Sequence, residues 1–172
     1  MRAYTEPMRK IVLAVSAALA LSACATANRL GAANDVHALL VAIRDDDQAG
    51  FDAHVDRDAL KKQLQGQLDK VGGDSKVRDL ARLLGPSVIE FADQQLLQPR
   101  TFRLVAEQYG YAPNAKLPSS VAIAGALKPL PDGRICATRK KDGPCVLTFT
   151  KEQGAWKLTS FDGDFSTLRL KL

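Results

Sequence analysis

The spacing of apolar residues changes near Tyr111, and this change limits the fold more than any other feature of the sequence. Before it, apolar residues recur at the three- and four-residue spacing of amphipathic helices. After it, prolines and glycines separate short apolar runs, as in strands joined by tight turns. We therefore predict an α+β domain in which N-terminal helices pack on a C-terminal antiparallel sheet of three to five strands. The chain has 172 residues, 46% of them hydrophobic, which is enough for one hydrophobic core.

The predicted helices begin at residues that favour helix N-termini. Asn34 is expected to cap the first helix, an aspartate within Asp45–Asp47 the second, and Asp56 the third. Pro99 suits the first turn of a later helix. Between the third helix and Pro99, further helical segments are expected on either side of Gly85-Pro86.

The second half of the chain contains runs typical of strands, and two of their connections are typical of hairpins. The connections lie at Lys141–Pro144 and Glu152–Gly154. The predicted strands are Val121–Leu127, Arg134–Thr138, Val146–Thr150 and Trp156–Phe161, with Thr167–Leu172 as a fifth.

Residues 1–23 have the pattern of a secretory signal. Arg9 and Lys10 precede a run from Ile11 to Ala23 that carries no charge. A positive start, an apolar stretch of about 7–15 residues and a small-residue exit define such a signal, which is too short to remain as a spanning helix. Met8 gives this pattern a cleaner start than Met1, so the sequence leaves two candidates for the first residue.

The leader ends in Leu21-Ser22-Ala23-Cys24, which resembles the lipobox of bacterial lipoproteins. The resemblance implies cleavage before Cys24, a diacylglyceryl group on its thiol and an acyl chain on its new amino group. Two or three acyl chains anchor a protein far more firmly than one. The residue after the cysteine is Ala25 rather than aspartate, which by the same resemblance favours the outer membrane. The alternative is an ordinary cleaved signal followed by a chance cysteine.

These expectations divide the chain into a signal peptide (1–23), a short tether (24–33) and one α+β domain (34–172). The protein would be lipid-anchored in the cell envelope and face the periplasm. Cleavage would remove three basic residues and one acidic residue, lowering the formal charge from +5 to +3. The basic run Arg139–Lys141 is short and is followed directly by the acidic Asp142. Because nucleic-acid binders usually carry a longer basic stripe, we expect a solvated hairpin tip there and no nucleic-acid partner.

Cys136 and Cys145 remain once Cys24 is assigned to the lipid. Envelope proteins meet an oxidising environment, which favours a disulfide between these two residues. If a hairpin is centred between Lys140 and Lys141, the two cysteines lie directly opposite each other and within disulfide reach. The alternative is a pair of reduced core cysteines.

Asp52, His54 and Asp56 are the strongest metal-site candidates in the sequence, but their spacing does not favour a site. Residues two apart in a helix point about 200° away from each other, so His54 would face away from both aspartates. We expect a solvated surface here, with Asp56 as an N-cap. The sequence contains no dinucleotide fingerprint, phosphate loop or nucleophile elbow, so we expect no metal, no cofactor and no catalytic residue.

Two stretches resemble a proteobacterial family known only as domain of unknown function 2939. Residues 47–64 resemble its acidic helix start, its Val-Asp pair and the amphipathic helix that follows. Residues 147–159 resemble its terminal hairpin, whereas Gln98-Pro99 departs from the Thr-Pro of the family. The hairpin with Trp156 also resembles the helix-backed curved sheets of the nuclear-transport-factor-like group. Neither resemblance implies an activity.

The sequence therefore favours a non-enzymatic envelope lipoprotein, a structural or binding module whose partners are the membrane and an unidentified envelope protein. The alternative is a small-ligand carrier or an enzyme, with a pocket between helices and sheet and Asp52, His54 or Tyr109 at its rim. A concave pocket in which ionisable groups converge would distinguish the two.

Overall fold

The computed structural model describes residues 26–71, 97–108, 115–138 and 143–162, together with residues 87, 94, 112 and 140. Helices come first and strands last, so the predicted α+β fold is confirmed. Helix α1 covers residues 26–45, α2 Gln48–Ala53, α3 Arg57–Val71, α4 Pro99–Gln108 and α5 Ser120–Ala126. The strands are β1 Leu127–Pro129, β2 Ile135–Thr138, β3 Cys145–Glu152 and β4 Ala155–Phe161. The predicted helices around Gly85-Pro86 and the predicted strand at Thr167–Leu172 lie outside the described residues, apart from residues 87 and 94.

The four strands form one antiparallel sheet in the order β1-β2-β3-β4. The β3–β4 connection consists of Gln153 and Gly154, which have φ angles of 50° and 92°. Two successive residues with positive φ are what a two-residue type I′ hairpin requires. The hairpin predicted at Glu152–Gly154 is therefore confirmed.

Helix α1 starts earlier than the sequence predicts. Residues 26–33 are already helical, so Asn34 is not an N-cap. Ala32 and Ala33 are both 0% exposed and belong to the core. Alanine is the best helix former and its small side chain permits close packing, which is why this alanine-rich segment joins the domain. The part of the predicted tether from 26 to 33 is thus helix and core.

The caps predicted for α2 and α3 are confirmed. Asp47 accepts a hydrogen bond from the amide of Gly50 at 3.1 Å, and Asp56 accepts one from the amide of Ala59 at 3.0 Å. Between them Phe51 is fully buried, and its ring meets that of Phe102 edge-on at a centroid distance of 5.2 Å. The short helix α2 thus carries a large aromatic side chain into the core and fixes α4 against it.

The strand predicted at Val121–Leu127 is wrong, because Ser120–Ala126 forms helix α5. Ser119 caps this helix by accepting from the amide of Ala122. Burial follows a helical pattern, with Ile123 and its neighbour Ala124 both buried and Val121 75% exposed. Four of the seven residues of α5 are alanine or glycine, which are depleted in strands, and this allows the cap to decide the local structure. The sheet begins directly afterwards, at β1.

The outer edge of β4 is joined to the helical half of the protein by backbone and side-chain bonds. The amide of Trp156 donates to the Asp35 carboxylate of α1 at 2.7 Å. The extended connection between α2 and α3 pairs in parallel with Leu158, which donates to the carbonyl of His54 at 2.9 Å and accepts from the amide of Asp56 at 3.0 Å. An edge strand whose polar backbone groups are engaged in this way offers less template for a foreign strand.

The core lies between α1, α2 and the inner face of the sheet. Its largest fully buried side chains are Phe51, Phe149, Ile135, Leu158 and Cys136. Among the described residues, no helix combines the length and the apolar content that crossing a membrane requires.

Candidate functional site

A groove of about 260 Å³ opens between α1, α4 and the chain that leads into α5. Its floor is apolar. Leu40 and Ile43 contribute from one face of α1, because residues three apart on a helix are neighbours. Ala106 of α4 and Ala115 of the connection lie across from them, and their short side chains leave the space that forms the groove.

The rim of the groove is charged. Arg44, Arg103 and Lys116 contribute three cations, and Glu107 one anion. Arg44 binds its neighbour Asp45, with 2.7 Å between Nε and Oδ1. This hydrogen bond, together with the charge of Arg44, lowers the pKa of Asp45 from its usual value.

Arg103 lies across the C-terminal end of α1. Its Nη1 donates to the carbonyl oxygen of Arg44 over a long 3.4 Å. A cation at this end of a helix is stabilised by the helix dipole. The dipole and the carbonyl thus hold Arg103 at the mouth of the groove.

The groove combines apolar and charged side chains. Its described lining contains no serine, threonine, cysteine or histidine, the side chains that most often supply a nucleophile or a general base. The groove lies between helices, whereas the sequence-based alternative placed a pocket between helices and sheet. Asp52 and His54 do not line it, and Tyr109 lies outside the described residues.

The aspartates of the Asp52, His54 and Asp56 trio have different partners. Asp52 forms an ion pair with Arg57, with 2.7 Å between Oδ1 and Nη2, and Asp56 caps α3. The prediction that these three residues share one helix is wrong, because α2 ends at Ala53 and the next residues are non-helical. The Nδ1 atom of His54 is buried without a hydrogen-bond partner among the described residues. Within that part of the chain, no three His, Cys, Asp or Glu residues are placed to hold a metal ion.

Glu152 joins Asp56 at the junction of α3 and the β3–β4 hairpin. Partial burial, the charge of Asp56 and a hydrogen bond between the two side chains raise the pKa of Glu152. Lys157 opposes this shift from across the turn, with its Nζ 3.9 Å from Glu152 Oε2. No short-range sequence pattern connects Glu152 with Asp56, so the sequence alone does not reveal this pair.

Cys136 and Cys145 form a disulfide with 5.4 Å between their Cα atoms, so the predicted pairing is confirmed. The predicted register is wrong. Cys136 pairs with Thr148 in the β-ladder and Cys145 with Thr138, and the ladder shifts register between Ala137 and Thr138. The disulfide therefore bridges an irregular part of the β2–β3 pair. Cys24, the residue predicted to carry the lipid, lies outside the described residues.

The groove residues were not among the candidates taken from the sequence. Arg44, Arg103 and Lys116 are ordinary surface cations when each is considered with its sequence neighbours. They come together only because α4 and the connection to α5 lie against the end of α1. An apolar pair at Leu40 and Ile43 directly before an arginine was the one local signal, and it is shared by many core-facing helices.

No curated protein and no solved structure matches the chain. One family does, and it is described as Protein of unknown function (DUF2939), with residues 13–105 matched. The matched region contains the stretch 47–64 that carries the resemblance noted above, and it ends before the hairpin at 147–159. Since the match covers more than half of the chain, the protein belongs to the DUF2939 family.

Proposed function

We propose that the protein is a lipoprotein of the bacterial cell envelope whose domain faces the periplasm and acts as a binding module rather than an enzyme. A lipid on Cys24 anchors it, and Ala25 directs it to the outer membrane. The three cysteines of the sequence carry this proposal. Two of them form a disulfide, which is the state expected in an oxidising compartment, and the third ends a lipobox-like motif.

The proposed role in binding is supported by the groove between α1 and α4. It joins an apolar floor to a charged rim and has no nucleophile or histidine in its described lining. Ligand sites combine these features, a mostly apolar cavity with a few polar groups that orient the ligand. Among the possibilities that the sequence left open, a carrier of a small ligand is the one that this groove favours.

The anchor would also limit how far the start of α1 can lie from the membrane. Thr26 is the first described residue of α1 and lies two residues after Cys24. Two peptide units span at most about 7.6 Å between Cα atoms, so a lipid on Cys24 would hold the start of α1 at the bilayer surface. Leu40, on the groove floor, is 14 residues further along α1, which at about 1.5 Å per residue corresponds to roughly 21 Å. The floor of the groove would then lie about 21 Å along the axis of α1 from its anchored end.

Intact mass spectrometry of the membrane-extracted protein tests the anchor. We expect the mass of residues 24–172 plus two or three acyl chains, and we expect Cys24→Ser to block processing or release the protein from the membrane. Ala25→Ser is the matched control, because it changes the next residue without removing the thiol or introducing an aspartate. A mature form that begins elsewhere, or that carries no acyl mass, would overturn the proposal.

A further inference from the structure

We propose that the groove between α1 and α4 binds a single-chain amphipathic anion, an unbranched acyl chain with a carboxylate head. The chain lies on the apolar floor and the carboxylate on the cationic rim. This inference gives the proposed binding module a ligand class. It concerns a free ligand and holds whether or not Cys24 is acylated.

The volume of the groove limits the length and number of the chains. Its 260 Å³ equals about nine volumes of roughly 30 Å³, the share of one water molecule in the liquid and close to that of one methylene group. This space accommodates one chain of about eight to ten carbons. It is too small for the two long chains of a phospholipid, so a single-chain ligand fits best.

The floor determines how strongly the chain is held. Leu40, Ile43 and Leu117 supply branched apolar side chains, while Ala106 and Ala115 keep the space between them open. Each methylene transferred from water to such a surface strengthens binding about fourfold. Affinity should therefore rise steeply with chain length until the groove is filled.

The charged residues of the rim determine the sign of the charge that the ligand's head group should carry. Arg44 is engaged by Asp45, and the described lining then retains two cations, Arg103 and Lys116, and one anion, Glu107. An arginine has five N–H donors, and the bond that places Arg103, to the Arg44 carbonyl, is 3.4 Å long. Its guanidinium therefore has donors to offer a carboxylate, which arginine binds in bidentate geometry. With one cation in excess, the rim favours an anion over a cation.

Calorimetric titration of the full chain carrying Cys24→Ser, with its disulfide formed, tests the proposal directly. The substitution removes the attachment point of the protein's own lipid, so that an attached chain cannot compete. Decanoate is expected to bind at one saturable site. Decylammonium, with the same chain and the opposite charge, should bind at least tenfold more weakly, and butanoate should show no measurable binding.

Two pairs of variants locate the ligand. Ala106→Leu fills the groove and should weaken decanoate binding at least tenfold, whereas Ala122→Leu, at an exposed position of α5, should leave it unchanged. Arg103→Gln removes one of the rim cations and should weaken decanoate binding about tenfold, while exposed Lys128→Gln on β1 should not.

The comparison of head groups keeps the test valid even if a variant fails to fold, because it uses an unaltered groove. Equal binding of decanoate and decylammonium would overturn the assignment of the anion. Decanoate binding that survives in folded Ala106→Leu would show that the ligand lies elsewhere. Absence of saturable decanoate binding would overturn the proposal as a whole, and none of these outcomes depends on the lipoprotein assignment.

Discussion

The side-chain amide of Gln63 binds the backbone of Phe161 from both of its ends. Nε2 donates to the Phe161 carbonyl at 2.6 Å, and Oε1 accepts from the Phe161 amide at 3.2 Å. Gln63 thus acts as one residue of a further strand, supplied by helix α3. Together with the bonds at Trp156 and Leu158, it engages the outer edge of β4 at three points along the strand.

Gln63→Ala should destabilise the protein by about 1–3 kcal/mol, because two hydrogen bonds are lost and two half-buried backbone groups are left to water. Gln65→Ala changes the same residue type at an exposed position of α3 and should stay within about 0.5 kcal/mol of the parent. Urea unfolding followed by circular dichroism measures both. Equal effects of the two substitutions would show that the Phe161 contact does not contribute to stability.

Reduction of the disulfide should lower the free energy of unfolding by about 2.5–3 kcal/mol. Cys136 and Cys145 are nine residues apart, and the chain-entropy model gives this value for a loop of about ten residues. The protein should yield no free thiol from these two cysteines under denaturing, non-reducing conditions. The Cys136→Ala/Cys145→Ala double variant is the control, since a reductant should not change its urea midpoint. Two free thiols in the untreated protein would contradict the disulfide.

Gly154 and Gly66 should respond to alanine with opposite signs. Gly154 has a φ of 92° in the hairpin turn, where an L side chain is strained, so Gly154→Ala should destabilise by about 1 kcal/mol or more. Gly66 lies within α3 with no atom within 4 Å of an added Cβ, so Gly66→Ala should stabilise by about 0.4–1 kcal/mol. Thermal unfolding of the two variants, compared with the parent, measures both shifts.

Features coded by adjacent residues could be predicted from the sequence. The caps at Asp47 and Asp56 need only a side chain and an amide three residues later. The Gln153–Gly154 turn needs only residues that tolerate positive φ. The disulfide between Cys136 and Cys145 could be predicted from the oxidising compartment expected for the protein and from the number of cysteines left to pair. Two cysteines allow only one intrachain pairing.

Features that depend on tertiary packing could not be predicted. The run Val121–Leu127 suits a helix or a strand by composition, and the Ser119 cap together with core contacts selects the helix. The same holds for the start of α1, where burial of Ala32 and Ala33 draws a linker-like segment into the domain. The groove rim joins residues of α1, α4 and the connection to α5, so no local sequence window contains it.

Ala25→Asp should move the protein from the outer to the inner membrane, if the lipobox resemblance extends to the sorting of lipoproteins. An aspartate after the acylated cysteine tends to retain Gram-negative lipoproteins in the inner membrane, and Ala25 lacks that carboxylate. Sucrose-gradient separation of the two membranes measures the distribution. Ala25→Asn is the matched control, because asparagine has nearly the same shape as aspartate and carries no charge. An unchanged distribution for Ala25→Asp would contradict the assignment to the outer membrane.

Glu152 should make the protein less stable as the pH rises from mildly acidic to neutral. Its pKa in the folded state is raised above the ordinary 4.5, chiefly by partial burial and then by Asp56. The folded protein therefore holds this proton more tightly than the unfolded chain. A raised folded pKa contributes stability that is fully present below about pH 4.5 and is lost as the pH rises through the folded value.

Glu152→Gln removes this dependence, because glutamine stays neutral and can still donate a hydrogen bond to Asp56. The variant should gain stability relative to the parent as the pH rises above 4.5, and the two proteins should converge at lower pH. Lys157→Gln should act in the opposite direction, since Lys157 lowers the pKa of Glu152 and its removal should steepen the loss. Urea unfolding at a series of pH values between about 4 and 8 measures all three proteins. A constant difference between Glu152→Gln and the parent across this range would show that Glu152 titrates alike in the folded and unfolded states.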